Sequence, residues 1–327
     1  MSRRGLSGFR EWLKYRLPKY PEIGVLVGFF VVFISFSVVA RHFLTSESLG
    51  AILTIGAELG IVAVGVGFLM ICGEFDLSVG SVLGLSSMIF AILANTGVNL
   101  VLALVISLAL AGLMGLMNGM IVVKAGIPSF IVTLGTMMLW RGVVLAISGG
   151  FPVVFAPSSP VKYALSGRFA GDFRTSTLWF VAITLILTIV INRTPYGNRV
   201  FATGGNKEVA KALGVNVNRT KLMNFTLSGI LAGFAGCIQF SRFGSVDALR
   251  GTGVELEAIA AAVIGGTLLT GGYGSVIGTL FGALLIGMVR SGLVMAGAPA
   301  YWYRAFIGVI LIIAVIINTK VRGLVIK

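Results

Sequence analysis

Charge is scarce in this sequence. Asp, Glu, Lys and Arg make up 11% of its 327 residues, against about a quarter in a soluble domain, too little to keep a folded globule in water. Histidine occurs once, as His42, and aspartate three times, so hydrolytic triads and metal clusters have almost no raw material. Cys72 and Cys237 each lie in an apolar stretch without a second Cys or His at ligand spacing, which excludes a disulfide or zinc framework and leaves core packing. The phosphate-cradling pattern G-x-x-x-x-G-K-S/T is absent, so the chain cannot hydrolyse ATP alone. Gly271-Gly272-Tyr273-Gly274 has neither the G-x-G-x-x-G spacing nor a flanking strand, and reads as a helix break.

Apolar sequence takes the place of charge. Hydrophobic residues reach 57% and mean hydropathy is +1.02. Runs near the spanning length of ~20 residues recur from end to end, which makes lipid the solvent for most of the chain. The expected spans are Ile23–Ala40, Ala51–Cys72, Leu77–Ala94, Leu100–Val123 and Ile127–Ile147, followed by Leu178–Ile191, Leu222–Phe240, Ala258–Thr270, Val276–Val294 and Trp302–Ile317. The architecture is therefore an all-α integral membrane protein of about ten helices, a single transmembrane domain over 23–318.

The formal net charge is +14, yet the cations are confined to short segments between apolar runs, which argues against a nucleic-acid surface. Arg3, Arg4, Arg10, Lys14, Arg16 and Lys19 precede the first run; Arg193, Arg199, Lys207, Lys211, Arg219 and Lys221 fill the central loop; Lys320, Arg322 and Lys327 end the chain. Ten spans put all three clusters, and so the 1–22 segment, the 192–221 loop and the 319–327 tail, on the cytoplasmic side as the positive-inside rule requires. The same count places the 149–177 loop outside, with at most a short surface helix.

Forty-five glycines would weaken soluble helices, but in lipid they let backbones approach closely; Gly112, Gly115 and Gly119, or Gly278, Gly282 and Gly287, fit that use. Glu58–Gly84 and Glu255–Gly278 share an acid, an apolar run, a glycine-containing break and a Ser-Val-x-Gly step, the mark of an internal repeat. Carboxylates beside the membrane must be capped, paired or hydrated, so Asp76 is either an N-cap for a helix from Leu77 or part of a pathway. Arg141, inside an apolar run, needs a partner. Trp140 beside it fits an interfacial ring better than a sugar-stacking one.

The central loop from Thr194 to Gly214 is the most informative polar stretch. Asn206 is a good N-cap, Lys207 to Leu213 favour helix, and Gly214 suits a left-handed stop. Val209 and Leu213 share one face of a helix too short to be stable alone in water, so a partner protein is expected to cover it; a positively charged anchor lying on anionic lipid is the bland alternative.

Asp76-Leu-Ser-Val-Gly-Ser-Val, Gly115-Leu-Met-Asn-Gly-Met, Gly126-Ile-Pro-Ser-Phe-Ile-Val-Thr-Leu-Gly135 through Arg141-Gly142, Gly204-Gly-Asn, and Glu255-Leu-Glu-Ala-Ile-Ala-Ala-Ala-Val-Ile-Gly-Gly together resemble the permease subunits of ribose-type sugar ABC importers, over nearly the whole chain. The resemblance implies a vitamin-B12-permease-like fold and two permease copies around one path. It also implies a cytoplasmic tandem-domain ATPase that holds ATP and Mg, and an external solute-binding protein. No cofactor is expected in this chain. Carried over, Gly204, Gly205, Asn206, Lys207, Glu208, Val209, Leu213 and Gly214 form the segment that couples to the ATPase, and Asp76, Ser78, Asn118, Ser129, Thr133 and Arg141 are candidates for the translocation path or gate. The expected location is the inner cell membrane, multi-pass. The competing reading is a secondary transporter or facilitator for a small polar solute, with Glu58 or Asp76 coupling protons.

Overall fold

The computed structural model describes residues 22–155, 157–299 and 301–325. The basic residues up to Lys19 and Lys327 lie outside the described residues, as do the side chains of Lys320 and Arg322. Helices dominate. In chain order they are α1 Glu22–Val39, α2 Ser46–Ile71, α3 Val79–Asn95, α4 Leu100–Ala125, α5 Ser129–Ser148, α6 Pro160–Ser166, α7 Thr175–Arg193, α8 Pro195–Gly205, α9 Lys207–Ala212, α10 Val217–Phe243, α11 Val254–Ile264, α12 Val276–Met295 and α13 Trp302–Val325.

Each of the ten apolar runs falls on a helix, but among the described residues only six helices (α2, α4, α5, α7, α10 and α12) have both the length and the composition to cross a membrane, while α1, α3 and α13 carry shorter apolar stretches. The run expected over Ala258–Thr270 stops early: α11 has 11 residues, about 16 Å of rise, because Gly265 and Gly266 break it. The all-helical expectation needs a small correction. Two antiparallel ribbons pair β1 Val153–Val154 with β4 Ser245–Val246, and β2 Arg168–Ala170 with β3 Phe173–Arg174. The 149–177 segment is thus richer than a loop with one helix: it holds α6, a hairpin and a strand, pinned where Lys162 donates to the Phe155 carbonyl at 2.9 Å.

Capping residues set the helix ends. Thr45 accepts from Ser48 N before α2, Asn99 from Val101 N before α4, and Ser275 from Gly278 N before α12. The core is built on α2, which is buried along most of its length and packs against α10, α11 and α12. Cys72 and Cys237 are both buried free thiols in that core. The most extensive helix contact joins α4 to α10. A Cβ at Gly115 would strike the Phe225 carbonyl oxygen, and one at Gly229 the Ala111 carbonyl oxygen, so glycine on both helices is what allows contact.

The periphery is apolar. Val31 and Ile34 of α1, Val105 of α4, Phe130 and Met138 of α5, Ile186 of α7 and Ile312 of α13 are all more than half exposed. An outward shell of this kind is stable only against lipid or another apolar surface.

Candidate functional site

Two groups of residues, at opposite ends of the bundle, gather most of the polar chemistry. At one end the chain breaks twice. Between α2 and α3 the segment 72–78 turns, with Gly73 at φ 85°; between α11 and α12 the segment 265–275 turns, with Gly271 and Gly272 at φ 78° and 74°. The two breaks touch: the Gly272 amide donates to the Ile71 carbonyl at 2.9 Å, satisfying an orphan acceptor at the end of α2. Gly204, near the end of α8, packs into the same junction, where a Cβ would strike the Ile71 carbonyl oxygen and lie 2.7 Å from the Gly272 nitrogen. These breaks belong to the two stretches whose sequences repeat.

From that junction α9 projects outward. Asn206 accepts from the amides of Glu208 and Val209, both at 3.1 Å, and Gly214 closes the segment at φ 80°. Both features follow the sequence expectation. The preceding helix α8 does not; Pro195 at its first turn is a start signal that was legible in the sequence. Ala210 is buried against the bundle, whereas Val209 and Leu213 are 53% and 76% exposed. Lys207, Glu208 and Lys211 surround them, with a Lys211–Glu208 pair at 3.5 Å.

Five of the six path candidates meet in one buried knot. Asp76 is fully buried; its Oδ1 accepts from Ser78 N at 2.9 Å and Ser78 Oγ at 2.6 Å, and Ser228 Oγ approaches Oδ2 at 3.4 Å. Asn118 Nδ2 donates to Ser78 Oγ at 2.8 Å. Thr133 Oγ1 accepts from Leu77 N at 3.1 Å and Ser129 Oγ from Phe75 N at 3.0 Å. The helix after Asp76 begins at Val79 rather than Leu77 because Leu77 and Ser78 still form the turn that Asp76 organises. The knot ties the α2–α3 break to α4, α5 and α10. Beside it, Glu74 pairs with Lys221 of α10.

Arg141 stands apart from the knot. Its Nη1 donates to the carbonyls of Ala248 and Arg250, at 3.0 and 2.8 Å, and so holds the loop 247–253 that joins β4 to α11. The partner it required is backbone oxygen, which satisfies the Nη1 donors. Replacing Arg141 with alanine is expected to release this loop and lower transport about tenfold, with Arg141→Lys intermediate because one ammonium reaches the carbonyls without the planar fork. Solute uptake and protease sensitivity of the loop check this. Trp140 is half-buried in an apolar groove between α3 and α4.

The loop 247–253 also walls a cavity of about 670 Å³ at the bundle end opposite the junction. Glu58 of α2, 5% exposed, faces it and pairs with Arg242 of α10 at 3.0 Å. Arg250 pairs with Asp247 at 3.3 Å. The guanidinium carbons of Arg242 and Arg250 lie 4.6 and 4.8 Å from the Phe243 ring centroid. The sequence singles out Glu58 but gives no such mark to Arg242, which sits just beyond the run ending at Phe240. Its signal was faint: one arginine at a helix end is ordinary. Among the described residues no cluster of His, Cys, Asp or Glu could hold a metal ion.

Residues 48–315 match the protein family described as branched-chain amino acid transport system / permease component. The chain belongs to this permease family. It is 35% identical over 301 residues to the ribose import permease protein RbsC of Bacillus subtilis (strain 168), covering 91% of this chain and 93% of that one. To RbsC of Escherichia coli (strain K12) it is 33% identical over 324 residues, 98% and 99% of the two chains. The autoinducer 2 import system permease protein LsrC of Enterobacter sp. (strain 638) is 34% identical over 280 residues, 86% and 81%. No solved structure gave a significant match. The resemblance drawn from the sequence motifs and the whole-chain comparison agree: this is a transport permease, not an enzyme.

Proposed function

We propose that this permease forms the translocation path of an ATP-binding-cassette importer for a small neutral solute, a monosaccharide of the ribose type. The observation that carries the reading is α9: a two-turn helix capped by Asn206, with exposed Val209 and Leu213, based through Gly204 on the contact between two helix breaks. A partner that grips α9 has a short mechanical route into the membrane domain. Identity to sugar-import permeases over nearly the full chain supports the solute class.

In this reading about ten helices cross the inner cell membrane in a vitamin-B12-permease-like arrangement over 23–318, with the 1–22 segment, the 192–221 loop and the 319–327 tail in the cytoplasm. Two copies enclose the path. A tandem-domain ATPase holding ATP and Mg grips Gly204–Gly214 from the cytoplasm, and a solute-binding protein docks at the opposite face. ATP closes the ATPase, α9 moves, and the junction carries that motion to the breaks before α3 and α12, re-packing the helices to open the path on the other side. Asp76, Ser78, Asn118, Ser129 and Thr133 act as a hydrogen-bonded latch at the first break; Arg141 holds the outer loop. The hydroxyls of Ser78 and Ser228 and the Asn118 amide keep the buried Asp76 carboxylate hydrogen-bonded within this latch.

Affinity purification of the tagged chain from native membranes in mild detergent tests this. A stoichiometric ATPase that copurifies, with activity in the eluate, is the expected result. A homo-oligomer free of ATPase, under conditions that preserve such complexes, would replace the importer with a secondary transporter.

A further inference from the structure

The cavity opposite the junction has unspent hydrogen-bonding capacity in its wall. At about 670 Å³ it lies within the ~300–1,000 Å³ range of small-molecule sites. Glu58 is twelve residues into α2 from Ser46, about 18 Å along the helix, so the cavity descends well into the bundle. Seven charges line it: Glu58 pairs with Arg242, Asp247 with Arg250, and Glu257 lies near Arg290 and Arg304. An ion entering would have to compete with these pairs for its counter-charge.

A neutral polyol meets different terms. A guanidinium carries five N–H donors and a carboxylate about four acceptor positions, and the Glu58–Arg242 contact uses one Nη1 and one Oε1. Hydroxyl groups, each donor and acceptor at once, take up both kinds of vacancy without disturbing charge balance. Phe243, 49% exposed and flanked by both guanidinium groups, adds a rigid apolar surface for the C–H face of a sugar ring. We infer that this cavity is a solute-selecting site of the permease itself, taking a neutral polyhydroxylated solute of monosaccharide size through Glu58, Arg242, Phe243 and Arg250. The inference rests on the importer reading for its solute class, and assigns part of the selectivity to this chain rather than to a binding protein.

The test uses the full-length permease in lipid nanodiscs without partners, D-ribose as probe, and saturation-transfer difference NMR, which reads weak contacts. Transfer to ribose is expected in the wild type, reduced roughly fivefold in Phe243→Ala and Arg242→Lys, and absent for leucine. Phe243 is half-exposed and Arg242→Lys keeps the charge opposite Glu58, so both variants should fold; matching thermal unfolding to wild type verifies it. No transfer to wild type, equal transfer in both variants, or equal transfer from leucine would overturn the site. ATP-driven ribose uptake by the same protein with its ATPase and binding protein reports separately on the importer reading: uptake without transfer removes the site alone.

Discussion

Gly204→Ala is expected to abolish ATP-driven uptake and to lower the yield of folded protein, while Gly205→Ala, one residue on, leaves both near wild type. At Gly204 the added methyl would strike the Ile71 carbonyl oxygen and approach the Gly272 nitrogen to 2.7 Å. Both are backbone atoms of helix breaks that already hydrogen-bond to each other, so neither can move without the other. Overpacking of this kind costs about 1–3 kcal/mol, a large part of a typical stability of about 5–15 kcal/mol. At Gly205 the nearest atom to an added Cβ is Gly272 Cα at 4.0 Å, an ordinary contact. Fluorescence-detected size-exclusion chromatography after a heat step, beside uptake, measures both. A Gly204→Ala protein as stable and active as Gly205→Ala would show that the junction yields, and would remove it as the route between α9 and the helix breaks.

The second large effect separates transport from stability. Val209→Asp and Leu213→Asp are expected to leave insertion and thermal stability within about 0.5 kcal/mol of wild type, since both side chains are exposed on the free chain. Each should nevertheless reduce ATP-driven uptake by tenfold or more, on the order of the ~2 kcal/mol lost when a central apolar anchor is removed from an interface. The ATPase would turn over without moving solute, or would no longer copurify. Normal uptake in both variants would sink the assignment of α9 as the coupling segment and leave it a membrane-surface anchor.

Much of this is legible in the sequence. Long apolar runs, with basic residues gathered between them, require lipid and suggest an orientation, because burial free energy and charge placement depend on composition over windows of about twenty residues. Caps were equally local: Asn206 and Gly214 act within three or four residues of themselves, so their roles follow from residue type and position. Where local cues competed, reading failed. The run over Ala258–Thr270 is apolar throughout its first part, but Gly265 and Gly266 end the helix, and the break matters more than the hydropathy. Asp76 reads either as a cap for a helix from Leu77 or as part of the path; its carboxylate organises the turn through Leu77 and Ser78, and the helix starts at Val79.

What the sequence by itself determined is the solvent, the helices and the local ends: a membrane permease with a short capped helix in its central loop. Only the tertiary structure decided which polar residues meet. Asp76, Ser78, Asn118, Ser129 and Thr133 belong to one knot, Arg141 to a different loop, and Glu58 to Arg242, 184 residues away. Helical periodicity tells which face a residue occupies, but not which of many apolar helices lies against that face. In a bundle where nearly every helix is greasy, partner choice is settled by the few sites where glycine permits backbone contact and a buried polar group must find its hydrogen bond.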